Sequence, residues 1–188
     1  MPKPQAKALG VIKNKEGVIN IDETLFQKRN LFLYSVVGND ICGALICQLM
    51  LLDSLSHDPI YLYINSPGGS VDDGFALIDV MKTIKSPVIT VAQGVVASMA
   101  ALIFIAGKKR HFHRHSVLMF HDMAGGVSDY SAKMEARMEF MKKEWDAIKN
   151  HVNEYTKLSD SECEKMRSGE LWLFAEDAKA KGCADEII

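Results

Sequence analysis

Three short stretches carry residues whose types and spacing could do covalent chemistry. Ser98 follows the strand-like run PVITVA (87–92) and the small-residue segment QGVVA (93–97), and it opens the apolar run SMAALIFIA (98–106). A hydroxyl at a strand-to-helix turn lies beside unpaired N–H groups and the positive end of a helix, the surroundings that a tetrahedral oxyanion needs. Ala97, Ala100 and Ala101 leave room beside it for a substrate. Serine also serves simply as a helix N-cap, the commoner role at such a place, and position alone leaves both readings open. SPGGS (66–70) directly follows a strand-like run, and its paired glycines let backbone amides approach a ligand closely. A plain turn explains the same string. His121 ends the run VLMFH (117–121), at a strand's carboxyl end, where ligand sites of open α/β sheets collect. A lone histidine is more often structural than catalytic.

A further group, His111, His113 and His115, alternates, so a strand through HFHRH would put all three on one face. No acidic or cysteine partner stands at metal-motif spacing, so no metal is expected. Lys108, Lys109 and Arg110 read as a solvated turn.

The elements that position these residues can be read in order. LFLYSVV (31–37) is a short apolar strand, and Asn39 or Asp40 can cap a helix running to about Ser56. IYLYIN (60–65) is a β-branched and aromatic strand, followed by the SPGGS turn and a helix over 71–85 with Phe75, Ile78, Met81 and Ile84 inward. PVITVA, the helix 97–106 and VLMFH repeat the alternation, which predicts an α/β fold with largely parallel pairing. Residues 1–24 hold two prolines, two glycines and several lysines without periodicity, and are expected to form a mobile arm or irregular lead-in.

One segment stands apart. From 130 to 157 the chain has no glycine or proline, and Met134, Met138, Met141, Trp145, Ile148, Val152 and Tyr155 are spaced 4, 3, 4, 3, 4, 3. That is a strict heptad seam, and the helix would be roughly 40 Å long. A helix of that length tends to project from so small a domain, which favours an oligomer interface over an intramolecular packing face.

The 188 residues suit one domain, with 48% apolar and 24% charged residues as in soluble globular proteins. A net charge of −2 gives no bulk attraction for nucleic acid or an anionic membrane. The four cysteines form no C-x-x-C pair and read as small apolar residues of a reducing compartment. The first residues lack an apolar core of the secretory kind, and 97–106 is too short to span a bilayer, so a cytoplasmic location is expected.

Taken together, YLYINSPGGSV (61–71), MKTIKSPV (81–88), VASMAALIFIAG (96–107) and FAEDAKAKGCADEII (174–188) resemble the proteolytic subunits of the ATP-dependent Clp protease family. The resemblance runs from about Arg29 to Ile188. It implies one domain over 1–188 with the Clp protease/crotonase-like spiral of strand–helix repeats and a protruding handle helix at 130–157. It implies a serine endopeptidase with Ser98 as nucleophile, His121 as general base, and the N–H groups of Gly69 and Met99 as oxyanion hole. It further implies stacked heptameric rings closing a chamber, unfolded protein chains as substrates, and a hexameric AAA+ ATPase as partner. Tyr61 and Tyr63 fall in the strand that helps form the family's ATPase docking site. No metal or organic cofactor is implied, and the chain has no G-x-x-x-x-G-K-[ST] loop for ATP.

Departures from the family pattern bear on function. Alignment back from AEDAKAKG puts Glu170 where the family has the aspartate of its triad; glutamate can accept the same imidazole hydrogen bond but is one methylene longer. The usual Gln-Pro after the histidine is Asp122-Met123, and the segment that communicates between rings is not recognisable in SECEKMRSGE (160–170 region). Two other readings follow: a catalytically inactive ring subunit, and a crotonase-like acyl-CoA enzyme, which would need a carboxylate base and a CoA pocket that the sequence does not offer.

Overall fold

The computed structural model describes residues 11–14, 17–122 and 131–188. In chain order its elements begin with β1 (Val11–Asn14), β2 (Gly17–Asn20), α1 (Ile21–Gln27), β3 (Asn30–Leu33), α2 (Asn39–Leu55) and β4 (Ile60–Ser66). There follow α3 (Val71–Thr83), β5 (Val88–Ala97), α4 (Met99–Ile105), β6 (Lys109–Phe112) and β7 (Val117–His121). The chain ends with α5 (Ser131–Tyr155), α6 (Asp160–Ser168), β8 (Glu170–Phe174), α7 (Ala175–Ala180) and β9 (Glu186–Ile187).

Among the described residues the alternation of strands and helices builds a seven-stranded sheet in the order β3-β4-β5-β6-β9, with β7 paired to β5 and β8 paired to β7. Every pairing in it is parallel except β7 with β8. One face of its central strands is buried: Leu33, Ile60, Leu62, Ile64 and Ala92, which share that face in register, are fully enclosed, while Phe32, Tyr61, Tyr63 and Ile89 on the other face are half-buried. Each fully buried leucine or isoleucine contributes roughly 1.5–3 kcal/mol. Helices α2, α3 and α4 supply Leu45, Leu49, Leu77, Ile78 and the whole of Met99–Ile105 to the same core.

β5 does the topological work. Its first half pairs with β4 and β6 and its second half, Val95–Ala97, with β7. The switch falls at Gly94, whose φ is +70°, and the Val95 N–H donates to Asn65 Oδ1 at 3.2 Å. From sequence the strand-like run PVITVA ends at Ala92, before the small-residue segment QGVVA; in the fold the strand bends at one glycine and continues to the residue before Ser98.

Two further expectations change. The lead-in is not irregular throughout, because β1 and β2 form an antiparallel ladder and α1 starts at Ile21. Helix α2 is capped by Gly38, not by the Asn39 or Asp40 side chain.

The long helix is present as α5, 25 residues from Ser131 to Tyr155. Its seam divides in two. Ile148 and Val152 are buried in the domain, while Met138 is 53% exposed. The first half therefore extends along the surface, and the second half is the intramolecular packing face that the heptad pattern alone does not separate from an interface.

Candidate active site

Ser98 sits between β5 and α4 at φ 56° and ψ −128°, a region that non-glycine residues seldom enter. Holding it there costs about 1–3 kcal/mol, and the surrounding backbone fixes it. The Ser98 N–H donates to the Met119 carbonyl at 2.8 Å, and its own carbonyl accepts from Ala101 N–H at 2.9 Å. Its side chain makes no capping hydrogen bond, so the simple N-cap role does not apply.

The SPGGS loop is pressed onto this turn. A Cβ on Gly68 would lie 2.6 Å from the Ala97 carbonyl oxygen, 2.6 Å from Ser98 Cβ and 2.8 Å from Met99 N. Gly68 also has φ +91°. Ser66, which is fully buried, ties the loop down: its hydroxyl donates to the Ser35 carbonyl at 2.6 Å and accepts from the Gly68 N–H at 3.1 Å. The Val37 N–H donates to the Gly68 carbonyl, and the Ser70 N–H donates to the Val37 carbonyl, at 2.8 and 2.9 Å. Among the described residues, that pattern leaves the Gly69 N–H without a partner, and Met99, the first residue of α4, likewise starts a helix with a free N–H.

His121, at the end of β7, borders the same cleft as Ser98, Gly69 and Met99. The cleft encloses about 610 Å³. Its apolar wall is Leu102, Phe120, Phe140, Met141, Ile148 and Met166; Asp72, Asp122, Arg137 and Glu144 supply its charge. Burial, and secondarily the nearby charge of Asp72, raise the Glu144 pKa above the ordinary glutamate value. The sequence gives no sign of the contributions of α5 and α6. Arg137, Met141, Glu144 and Ile148 do share a face at helical spacing, but only the packing of α5 shows that this face overlooks Ser98.

The structure brings Ser98, His121, Gly69 and Met99 together around one cleft. Among the described residues no hydrogen bond joins Ser98 to His121. Glu170 lies directly across the β7–β8 ladder from His121, so their Cβ atoms stand about 4.5–5.5 Å apart on the same face. Yet the carboxylate turns along its own strand: Trp172 Nε1 donates to Glu170 Oε2 at 2.8 Å, and no bond runs to the imidazole.

The histidine group does not share a face. Strand β6 stops at Phe112, so only His111 lies in it, 3.5 Å from Glu186, while His113 Nε2 sits 3.1 Å from Gln93 Nε2. The buried cysteines keep their protons: burial pushes the Cys183 thiol up to about 12 and raises those of Cys42 and Cys163. Elsewhere, Phe32 stacks on Tyr63 with ring centroids 5.2 Å apart and meets Tyr34 edge-on at 5.5 Å, so the strand carrying Tyr61 and Tyr63 presents an aromatic patch. Among the described residues no helix is long and apolar enough to cross a membrane.

A parallel α/β sheet with a strained serine at a strand-to-helix turn, faced by a glycine loop and a histidine, defines a class of fold and site shared with serine hydrolases. The chain belongs to the Clp protease family, whose profile matches residues 13–188. It is 39% identical over 176 residues to the ATP-dependent Clp protease proteolytic subunit 3 of Synechococcus sp. (strain CC9605), covering 90% of this chain and 87% of that one. Identity and coverage are the same for proteolytic subunit 2 of Prochlorococcus marinus (strain MIT 9313). Proteolytic subunit 2 of Treponema denticola is 31% identical over 182 residues, 93% of this chain and 91% of the relative.

Proposed function

We propose that the chain is an active serine endopeptidase subunit in which Ser98 attacks the scissile carbonyl. His121 takes the hydroxyl proton and returns it to the leaving amine, and the Gly69 and Met99 N–H groups hold the oxyanion. Water then attacks the acyl-enzyme with His121 again as base. Glu170 is the acid that orients and stabilises the imidazolium. The observation that carries this reading is the strained Ser98 turn with Gly68 pressed against it: a chain that needed only an N-cap would have no reason to sustain that conformation.

The exposed first half of α5 suits a handle by which rings stack into a chambered homo-oligomer, as the resemblance implies. The aromatic patch around Tyr63 suits docking of a hexameric Clp-type AAA+ ATPase that delivers unfolded protein chains. A cytoplasmic setting fits cysteines that are unpaired.

The competing reading is an inactive ring subunit. Its support is the Glu170 carboxylate bonded to Trp172 instead of to His121.

Intact-mass analysis after fluorophosphonate treatment separates the two, with wild type compared against Ser98→Ala. One adduct per subunit, absent in the variant, is expected. No adduct on an assembled wild-type oligomer would transfer the weight to the inactive subunit.

A further inference from the structure

We propose that Trp172 is a positioning residue that holds Glu170 off His121, so that the catalytic acid is restrained in the resting subunit and must exchange partners to act. This rests on the peptidase reading above.

The register makes Glu170 the direct cross-strand neighbour of His121, and Trp172, two residues on, shares its face of β8. Two donors therefore compete for one carboxylate: the indole N–H along the strand and the imidazole Nδ1–H or Nε2–H across it. The indole holds Oε2 at 2.8 Å in this structure. A glutamate has one more rotor than an aspartate, and that extra reach is what lets the carboxylate lie back along its own strand. Among the described residues β8 pairs only with β7, and its outward side chains Glu170, Trp172 and Phe174 are all exposed. Among the described residues nothing packed over this face opposes a rotamer change. Trp172 is 47% exposed and Phe174 63%. A contact that covers this outer face would repack the indole and free the carboxylate.

The test uses the assembled full-length protein and the second-order rate of fluorophosphonate labelling at Ser98, measured from pH 5 to 9. Wild type is compared with Trp172→Phe, Glu170→Gln and the double variant. The other charges around the cleft, Asp72, Asp122, Arg137 and Glu144, are the same in all four. Trp172→Phe keeps an aromatic ring but removes the donor. It is expected to label about tenfold faster, the scale of one charge-assisted hydrogen bond released. Its pH midpoint should also rise, because a carboxylate newly paired with the imidazole raises the histidine's pKa. Both changes should vanish when Glu170→Gln is also present. Trp172→Leu gives the same comparison should phenylalanine pack poorly. A wild-type rate and midpoint in both Trp172 variants, or a change of equal size with and without Glu170→Gln, overturns the restraint. If no variant labels at all on an intact oligomer, the peptidase reading itself fails and the restraint falls with it; labelling of the wild type with no effect at Trp172 leaves that reading standing and removes only the restraint.

Discussion

The two sides of the candidate site are built from different materials. The Ser98 side is backbone held by backbone. Ala97, Met99 and Ala100 are buried, Gly68 leaves no space for a Cβ, and the serine amide and carbonyl are both bonded. The other side, which would supply the acid, is the Glu170 side chain on strand β8, exposed and opposite His121. A site made of main chain in a packed interior has one geometry and fails abruptly when altered. A site made of an exposed rotor has several geometries of similar energy, so it tolerates a methylene and can be switched.

The largest expected effect lies on the rigid side. Gly68→Ala would place a methyl 2.6 Å from the Ala97 oxygen and from Ser98 Cβ, at a φ that alanine disfavours. The expected cost is roughly 2–4 kcal/mol of stability, with the serine turn displaced and fluorophosphonate labelling abolished. Thermal unfolding and labelling of the purified variant check both. A folded, normally labelled Gly68→Ala protein would show that this side is softer than its contacts imply, and the contrast would collapse.

On the other side, Glu170→Gln is expected to lower the labelling rate by about tenfold or less. Where the acid of such a triad is engaged with its histidine, amidation costs about 10⁴-fold in turnover. A loss approaching that size would show that Glu170 serves His121 most of the time, and would break the comparison from the opposite direction.

The same contrast decides what the sequence disclosed. The strand–helix alternation, Ser98, the paired glycines and His121 are legible because backbone-built features leave local marks: small residues before a helix, glycines after a strand, a strand's last residue. The resemblance added Glu170 by position, and the β7–β8 register does set it opposite His121. What stayed hidden depends on contacts distant in sequence. Nothing local in PVITVAQGVVA shows that a strand bends at Gly94 and continues, because the bend is supported by Asn65 on a neighbouring strand. The heptad seam of α5 has one period but two environments, and periodicity cannot tell Met138 in the open from Val152 in the core. Nor does the string GELWLF reveal that the indole of Trp172 holds the glutamate carboxylate.

The smallest expected effect concerns the support beneath the Ser98 side. His151, on α5, is 5% exposed and its Nε2 bonds the Leu102 carbonyl of α4 at 3.0 Å, with the ring edge-on to Phe75 and tilted against Tyr155. Burial lowers its pKa below the ordinary value of 6.5; the Leu102 bond, Glu154 and Asp79 act against that shift and Lys82 with it. The folded state therefore binds fewer protons at this site than the unfolded state does. Stability from the neutral ring is fully present above about pH 6.5 and is lost as the pH falls toward the lowered folded value, by at most about 1.4 kcal/mol per pH unit. Urea unfolding between pH 7.5 and 5 should show a falling midpoint in wild type and a flatter one in His151→Gln, whose amide N–H keeps a donor for Leu102. Parallel slopes would mean that other groups carry the acid sensitivity. A slope confined to wild type would locate it under the helix that Ser98 opens, so that mild acid loosens the rigid side of the site from behind.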